Sequence, residues 1–339
     1  MSELDLQDAI LRTALELQRL SAHEENEAEA ILRELERELK QLLATSLDER
    51  TKAAIADLIE QAETAIDARY AAASEVVDTH GLVLLVSERT VETLHLIAPS
   101  VVKPTVETLA SLSKNVLIDG APSAAWWSKQ AEDTAFKFAA AVRQGVINGE
   151  TNERIVSRIV GHGVESGIMQ VARRNARALV HSSVMSAANE ARLATFRKND
   201  RLIGGVRWLA ALDGHVCRRC AALDGQSWDL DGQKLKGTKV EFRAPPIHWN
   251  DRCVLSPIAK SFRDIGLDID EPDAGERASS QGPVHGATTF NDFLKRQSPA
   301  FIERVLGKER ARLFIEGKIT VRDLVSGTGR ELTLEELRG

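Results

Sequence analysis

Apolar residues in the first third of the chain recur at spacings of three and four. From Leu4 to Leu20 the stripe is Leu4, Leu11, Ala14, Leu15 and Leu17, and from Ala28 to Leu43 it continues through Ile31, Leu32, Leu35, Leu39 and Leu42. This period predicts amphipathic helices. Glu alternates with Arg and Lys over the remaining faces, at the spacing of i,i+4 ion pairs. Ser46 or Asp48 is the expected cap of the next helix, whose apolar stripe is Ala53, Ile55, Leu58 and Ile59. The pattern describes a helical bundle, or a long antiparallel hairpin that docks on a larger assembly. Heptads are too irregular for a dimeric coiled coil.

Pro99, Pro104 and Asp119-Gly-Ala-Pro122 punctuate the chain before a second helical block, from about Ala124 to Asn199. Phe138 to Val156 reads as helix, turn, helix. Gly149 suits the left-handed position after the first helix, Thr151 the cap of the second, and Ile155 and Ile159 its inner face. From Gly204 the helical period is lost. Tryptophans, Asp-Gly turns, prolines and all three cysteines gather between Trp208 and Pro257, which predicts a turn-rich module with short strands. A Gly-, Ser- and Pro-containing stretch, about Asp270 to Gly286, then leads into a short helical tail.

Composition sharpens this outline. Aromatic residues make up 4%, with Tyr70 the single tyrosine, which favours helices packed by aliphatic side chains. No apolar run approaches the ~20 residues that span a bilayer, so a membrane is not an expected partner. Gly81 to Val86, the longest candidate, reads as a short buried segment. The acidic start, Met1-Ser-Glu-Leu-Asp, lacks the layout of a signal peptide, and a cytoplasmic product is expected. Three cysteines in one short stretch of such a protein point to metal ligation over a disulfide framework.

The chemistry is concentrated in Cys217-Arg-Arg-Cys220 and, after Pro245-Pro246, in His248-Trp-Asn-Asp-Arg-Cys253. A Cys-x-x-Cys turn sets two thiolates along one edge of a tetrahedron, and His248 and Cys253 can supply the opposite edge. Three thiolates and an imidazole form a closed structural zinc set with no position left for water. His215 and Asp251 are alternative donors, and buried cysteines serving only as small hydrophobes are the other reading. Trp208, Trp228 and Trp249 are the expected core of this module. The predicted fold class is therefore α+β, predominantly α-helical. Its parts are a helical N-terminal region for docking or assembly (1–120), a central helical block (121–203), a small β-rich zinc-knuckle module (204–262), a linker (263–288) and a helical C-terminal tail (289–339).

These residues resemble the phage Mu F-like minor head, or head morphogenesis, proteins. The resemblance rests on Trp208, Asp213, Cys217 to Cys220, Leu223-Asp-Gly225, Pro245-Pro-Ile-His248 and Arg252-Cys253. It extends upstream to the Gly145–Ile155 turn and the helix from Asn175 to Arg192, and downstream to Leu306–Val325 and Leu332–Leu337. Family members often carry a further cysteine where this chain has Asp251, which leaves Cys253 as the sole thiol partner there. The resemblance implies a structural, non-enzymatic protein of the virion head at the portal vertex, with host cytoplasm as the place of assembly. Implied partners are the portal protein and capsid or scaffold proteins, and the implied role is head morphogenesis with DNA packaging or release.

Between Arg173 and Arg219, ten basic residues stand against three acidic ones. Arg173, Arg174, Arg177, Arg197, Lys198, Arg218 and Arg219 are candidates for a sequence-independent contact with packaged double-stranded DNA. The alternative is that they pair with acidic helices of the chain or with carboxylates of the portal. The knuckle, with His248 and Asn250, also resembles HNH-type metal-dependent nucleases, but no second histidine follows at catalytic spacing. An ADP-ribosyltransferase would need Ser182-Ser183 on a strand, and they lie in a helical pattern. Zinc-deaminase and phosphate-loop motifs are absent.

Overall fold

The computed structural model describes residues 3–46, 51–161, 166–261 and 276–338. Its helices are α1 (Glu3–Ser46), α2 (Lys52–Ser74), α3 (Thr79–Leu94), α4 (Val106–Asn115), α5 (Ser123–Ile147), α6 (Asn152–Val160), α7 (Ile168–Lys198), α8 (Arg218–Leu223), α9 (Phe290–Lys295), α10 (Pro299–Leu306), α11 (Lys308–Ile315) and α12 (Leu334–Arg338). The strands are β1 (Leu117–Ile118), β2 (Ala121–Pro122), β3 (Ile203–Leu209), β4 (Ser227–Trp228), β5 (Val254–Ala259), β6 (Glu276–Arg277) and β7 (Val284–His285). The fold is α+β and mostly helical, as the periodicity predicts. Among the described residues, no helix is long and apolar enough to cross a membrane.

Two compact units divide the chain. One comprises residues 1–17, 80–114 and 185–339; the other comprises 18–79 and 115–184. α1 and α7 each supply residues to both. α1 is a single helix of 44 residues. Its buried line in the first unit is Leu6, Ile10, Ala14 and Leu17, whereas Leu15 is 49% exposed. Leu15 lies one residue from Ala14, a turn of about 100° around the helix, and so leaves the buried face.

In the second unit the buried line of α1 is Ala28, Leu32, Leu35, Leu39 and Leu43. α2 buries Leu58, Ile59, Ala62, Ile66 and Tyr70, while Ala53 of the predicted stripe is exposed. Its cap is Thr51, whose hydroxyl accepts the Ala54 N–H at 3.1 Å, in place of the expected Ser46 or Asp48. Ser46 is the last residue of α1, and Asp48 lies outside the described residues. Tyr70 shares a 2.8 Å hydrogen bond with Thr134 of α5 and meets the Trp127 ring edge-on, and burial pushes its hydroxyl up to about 12.

The predicted helix-turn-helix is α5 and α6. Gly149 has φ +66°, the Thr151 hydroxyl accepts the Arg154 N–H, and Ile155 and Ile159 are fully buried. Gly145 is needed for close approach, since a Cβ there would fall 2.4 Å from Ile155. Gly81 to Val86, read as a short buried segment, lies in α3 with Leu82, Val83 and Val86 buried.

The first unit is built on a three-stranded antiparallel sheet of order β4-β3-β5. Trp208 faces Leu255 across β3 and β5, and Val206 faces Trp228 across β3 and β4. Its core joins β3 and β5 to α7 (Met185, Leu193, Phe196), to Ile10 and Ala14, and to C-terminal residues Phe290, Phe293, Leu306 and Leu324. The segment 204–262 thus shares one core with the C-terminal helices. Trp208 and Trp228 are completely buried in it, and Trp249 is half-buried. Within the predicted linker, 263–275 lie outside the described residues, and β6 and β7 form a hairpin.

Candidate metal centre

Local structure brings the four predicted ligands into two overlapping groups. Cys217 caps α8, and its Sγ accepts the Cys220 N–H at 3.3 Å, which sets both sulfurs at the start of that helix. His248 to Cys253 form the loop that enters β5. Asn250 turns the chain there with φ +61°, a conformation asparagine tolerates better than most side chains. His248 Nε2 lies 3.1 Å from Sγ of both Cys217 and Cys220. The donor atoms of Cys217, Cys220 and His248 all lie within 4.8 Å of one another, as do those of Cys220, Asp251 and Cys253. Cys220 belongs to both groups. His215 lines the same small cavity but joins neither group among the described residues.

The donor set fits a small thiophilic cation. His248 Nδ1 donates to the Trp249 carbonyl at 2.8 Å, which orients the ring and leaves Nε2 facing the sulfurs. The cavity between them, about 20 Å³, holds one ion or one water. The charges point the same way. The hydrogen bond with Cys220 draws the Cys217 thiol down to about 4, while the paired sulfurs of Cys217 and Cys253 push the Cys220 thiol up. Burial pushes Cys253 up to about 12, and the Cys217 sulfur lifts His248 to about 9. Protein groups alone therefore stabilise one thiolate against an imidazolium, and two thiols stay protonated. Three thiolates at one point require a cation. A zinc ion held by Cys217, Cys220, His248 and Cys253 would supply that charge and cross-link α8 to the loop before β5.

Neighbouring polar residues hold these two segments in register. Asp213 receives both terminal nitrogens of Arg252, at 2.7 and 3.0 Å; burial pushes its carboxyl up, but the Arg252 bonds, the His215 N–H and the nearby positive charge together keep it below the usual range. Asn189 of α7 is fully buried and donates to the Cys253 carbonyl at 3.2 Å. Asp224, from the Leu223-Asp-Gly225 motif, accepts the backbone N–H groups of Ala210 and Phe290 and a two-pronged ion pair from Arg277. Sequence reading passed over Arg277 because it falls in an apparent linker. Its only signal was a lone arginine among acidic, Gly- and Ser-rich neighbours.

Residues 137–256, from α5 to β5, match a family model described as phage Mu protein F like protein. Over this stretch the chain is similar to phage Mu F-like proteins. No curated protein and no solved structure matches the chain. All four predicted ligands fall inside the phage Mu F-like segment, and Arg277 and the C-terminal helices fall outside it.

The basic residues of the phage Mu F-like segment are largely engaged. Arg173 pairs with Glu36, and Arg177 with Glu25 and Glu29, at 2.9 and 2.8 Å, as the pairing alternative expects. Arg218 is held by Glu331 at 2.6 Å, and Arg219 and Arg197 donate to the carbonyls of Gly329 and Leu230. Arg173, Arg174 and Arg177 belong to the second unit and Arg197, Lys198, Arg218 and Arg219 to the first. Ser182 and Ser183 lie in helix α7.

Proposed function

We propose that this chain is a structural protein of a tailed-phage head, acting in head morphogenesis near the portal vertex, and that its first unit is stapled by one zinc ion on Cys217, Cys220, His248 and Cys253. The family match over residues 137–256 supports the head assignment, because the phage Mu F-like family is one of structural head-morphogenesis proteins. The observation that carries the zinc reading is the approach of His248 Nε2 to two thiols that face it from α8. The role is cross-linking, and no reaction is assigned. Contact with the portal, capsid or scaffold and assistance to DNA packaging or release belong to the same proposal. DNA contact has less support than protein contact, since Arg173, Arg177 and Arg218 already hold carboxylates.

Elemental analysis of the purified chain tests the staple. About one zinc per chain is expected, lost in Cys217→Ala/Cys220→Ala together with the order of α8 and the 248–253 loop. A folded wild-type chain without metal would reject it. Virion fractionation tests the assignment: the chain is expected in purified heads, and its absence from both heads and assembly intermediates would refute the head role.

A further inference from the structure

Asp251 stands among the candidate ligands, and it is 1% exposed. Its carboxylate already has specific work. Oδ2 accepts the N–H of Ile247 at 2.9 Å, and Oδ1 accepts the N–H of Cys253, also at 2.9 Å. Ile247 immediately precedes His248, so one carboxylate clips the backbone beside both donors of this loop. Oδ1 also lies 3.5 Å from the Cys220 Sγ, across from α8.

We infer that Asp251 is the positioning residue of the metal centre and not one of its ligands: its carboxylate sets the loop so that His248 Nε2 and Cys253 Sγ reach the sulfurs of α8. This rests on the zinc reading above. Ligation by Oδ1 would have to share an oxygen that already accepts the Cys253 N–H, and any swing of the carboxylate toward a metal would strain or give up one of its two backbone hydrogen bonds. Cys253 Sγ has no comparable engagement with the backbone. Carboxylates that hydrogen-bond around a metal site orient the ligands they support, and losing one typically weakens metal binding about 10–100-fold. Here the support reaches the ligands through the main chain. Asp251 occupies a position where a cysteine would add a fourth thiol, and with the carboxylate supporting instead, the ligand set stays at three sulfurs and one nitrogen.

Cobalt(II), added alone to metal-free protein, decides the point, because thiolate-to-cobalt charge transfer grows with the number of bound sulfurs. The wild type is expected to give a tetrahedral spectrum with three-thiolate intensity. Cys253→Ser is expected to lose about a third of that intensity. Asp251→Asn is expected to keep the full intensity and band positions and to bind cobalt about 10–100-fold more weakly. It can still accept one of the two N–H groups, so Asp251→Ala should be weaker again. A two-thiolate wild-type spectrum, unchanged in intensity by Cys253→Ser and shifted by Asp251→Asn, would make Asp251 a ligand and overturn the inference. If Asp251→Asn fails to fold, the wild type and Cys253→Ser still separate the two assignments. A folded wild type that takes up no cobalt would overturn the metal reading itself, which is a different outcome.

Discussion

Removing Asp224 should damage the first unit more than any other single polar truncation near the sheet. Asp224 and Arg277 form an ion pair with side chains 1% and 3% exposed. The carboxylate takes four hydrogen bonds, from Ala210 N at 2.8 Å, Phe290 N at 2.7 Å and Arg277 Nη2 and Nη1 at 2.7 and 3.1 Å. In Asp224→Ala, Arg277 keeps, among the described residues, the carbonyls of Ala210 and Thr288, and its charge stays buried without a counter-ion there. Breaking such a pair on one side costs about 3–5 kcal/mol. The orphaned amides, at about 1–3 kcal/mol each before relaxation, place the total toward the top of that range. With two units, a global denaturation curve is not two-state, so amide hydrogen exchange is the suitable assay. Protection at Ala210 and Phe290 should fall at least about a hundredfold. Arg277→Met in the same background should restore part of it, with a coupling of about 1–3 kcal/mol. A loss under about 1 kcal/mol, or no coupling in the cycle, would refute the claim that this pair joins β3 to the C-terminal helices.

Gly149→Ala should cost about 1 kcal/mol in second-unit stability, measured by exchange of α6 amides. A Cβ there meets nothing within 4 Å, so the positive φ is the whole penalty. Arg192 is fully buried, and burial alone draws its guanidinium down to about 10. A depressed base binds its proton less well in the fold, so its destabilising effect is present throughout neutral pH and is relieved only above about pH 10. Arg192→Met should therefore leave first-unit stability unchanged or raise it by about 1–4 kcal/mol at pH 7, and a clear loss would show that the charge is needed. The hydrogen bond from Arg177 holds the Glu29 carboxyl below its usual 4.5. That stabilisation is present above pH 4.5 and is lost as pH falls through the lowered value, so Arg177→Gln should move acid unfolding of the second unit to higher pH, followed by circular dichroism.

Periodicity made the helices legible, because burial on one face imposes a spacing of three and four whatever the partner. It placed Leu32, Leu35 and Leu39 on the buried face of α1, and it misplaced Leu15, because neighbouring leucines compete for a face that only the partner element chooses. The α5–α6 turn was legible down to Gly149 and Thr151, since both obey local backbone rules. The cap at Thr51 was missed because Ser46, Asp48 and Thr51 are chemically equivalent caps, and the end of α1 selects among them. At the candidate site, the approach of His248 to Cys217 and Cys220, and of Cys253 to Cys220, could be read from spacing. The roles of Asp224, Arg277 and Asn189 could not. Their partners lie 53 to 66 residues away, and such pairings leave no local pattern in a single sequence.

The placement of these long-range contacts explains why the cysteine segment need not be a self-sufficient domain. A module of some sixty residues buries too little surface to be stable by itself and needs a staple or a neighbour. This one has two neighbours: α7 reaches β5 through Asn189, and the C-terminal segment reaches the end of β3 through Asp224 and Arg277. On the zinc reading, the donor cluster would tie α8, which the C-terminal segment holds at Arg218 and Arg219, to the 248–253 loop, which Asn189 holds at Cys253. Asp213 with Arg252, and Asp251 with Ile247 and Cys253, shape that junction without covalent help. A metal there would act last, on a core already assembled. Its removal should therefore expose α8 and the loop to exchange before Trp208 and Trp228, and simultaneous exposure of all four would mean that the metal organises the core itself.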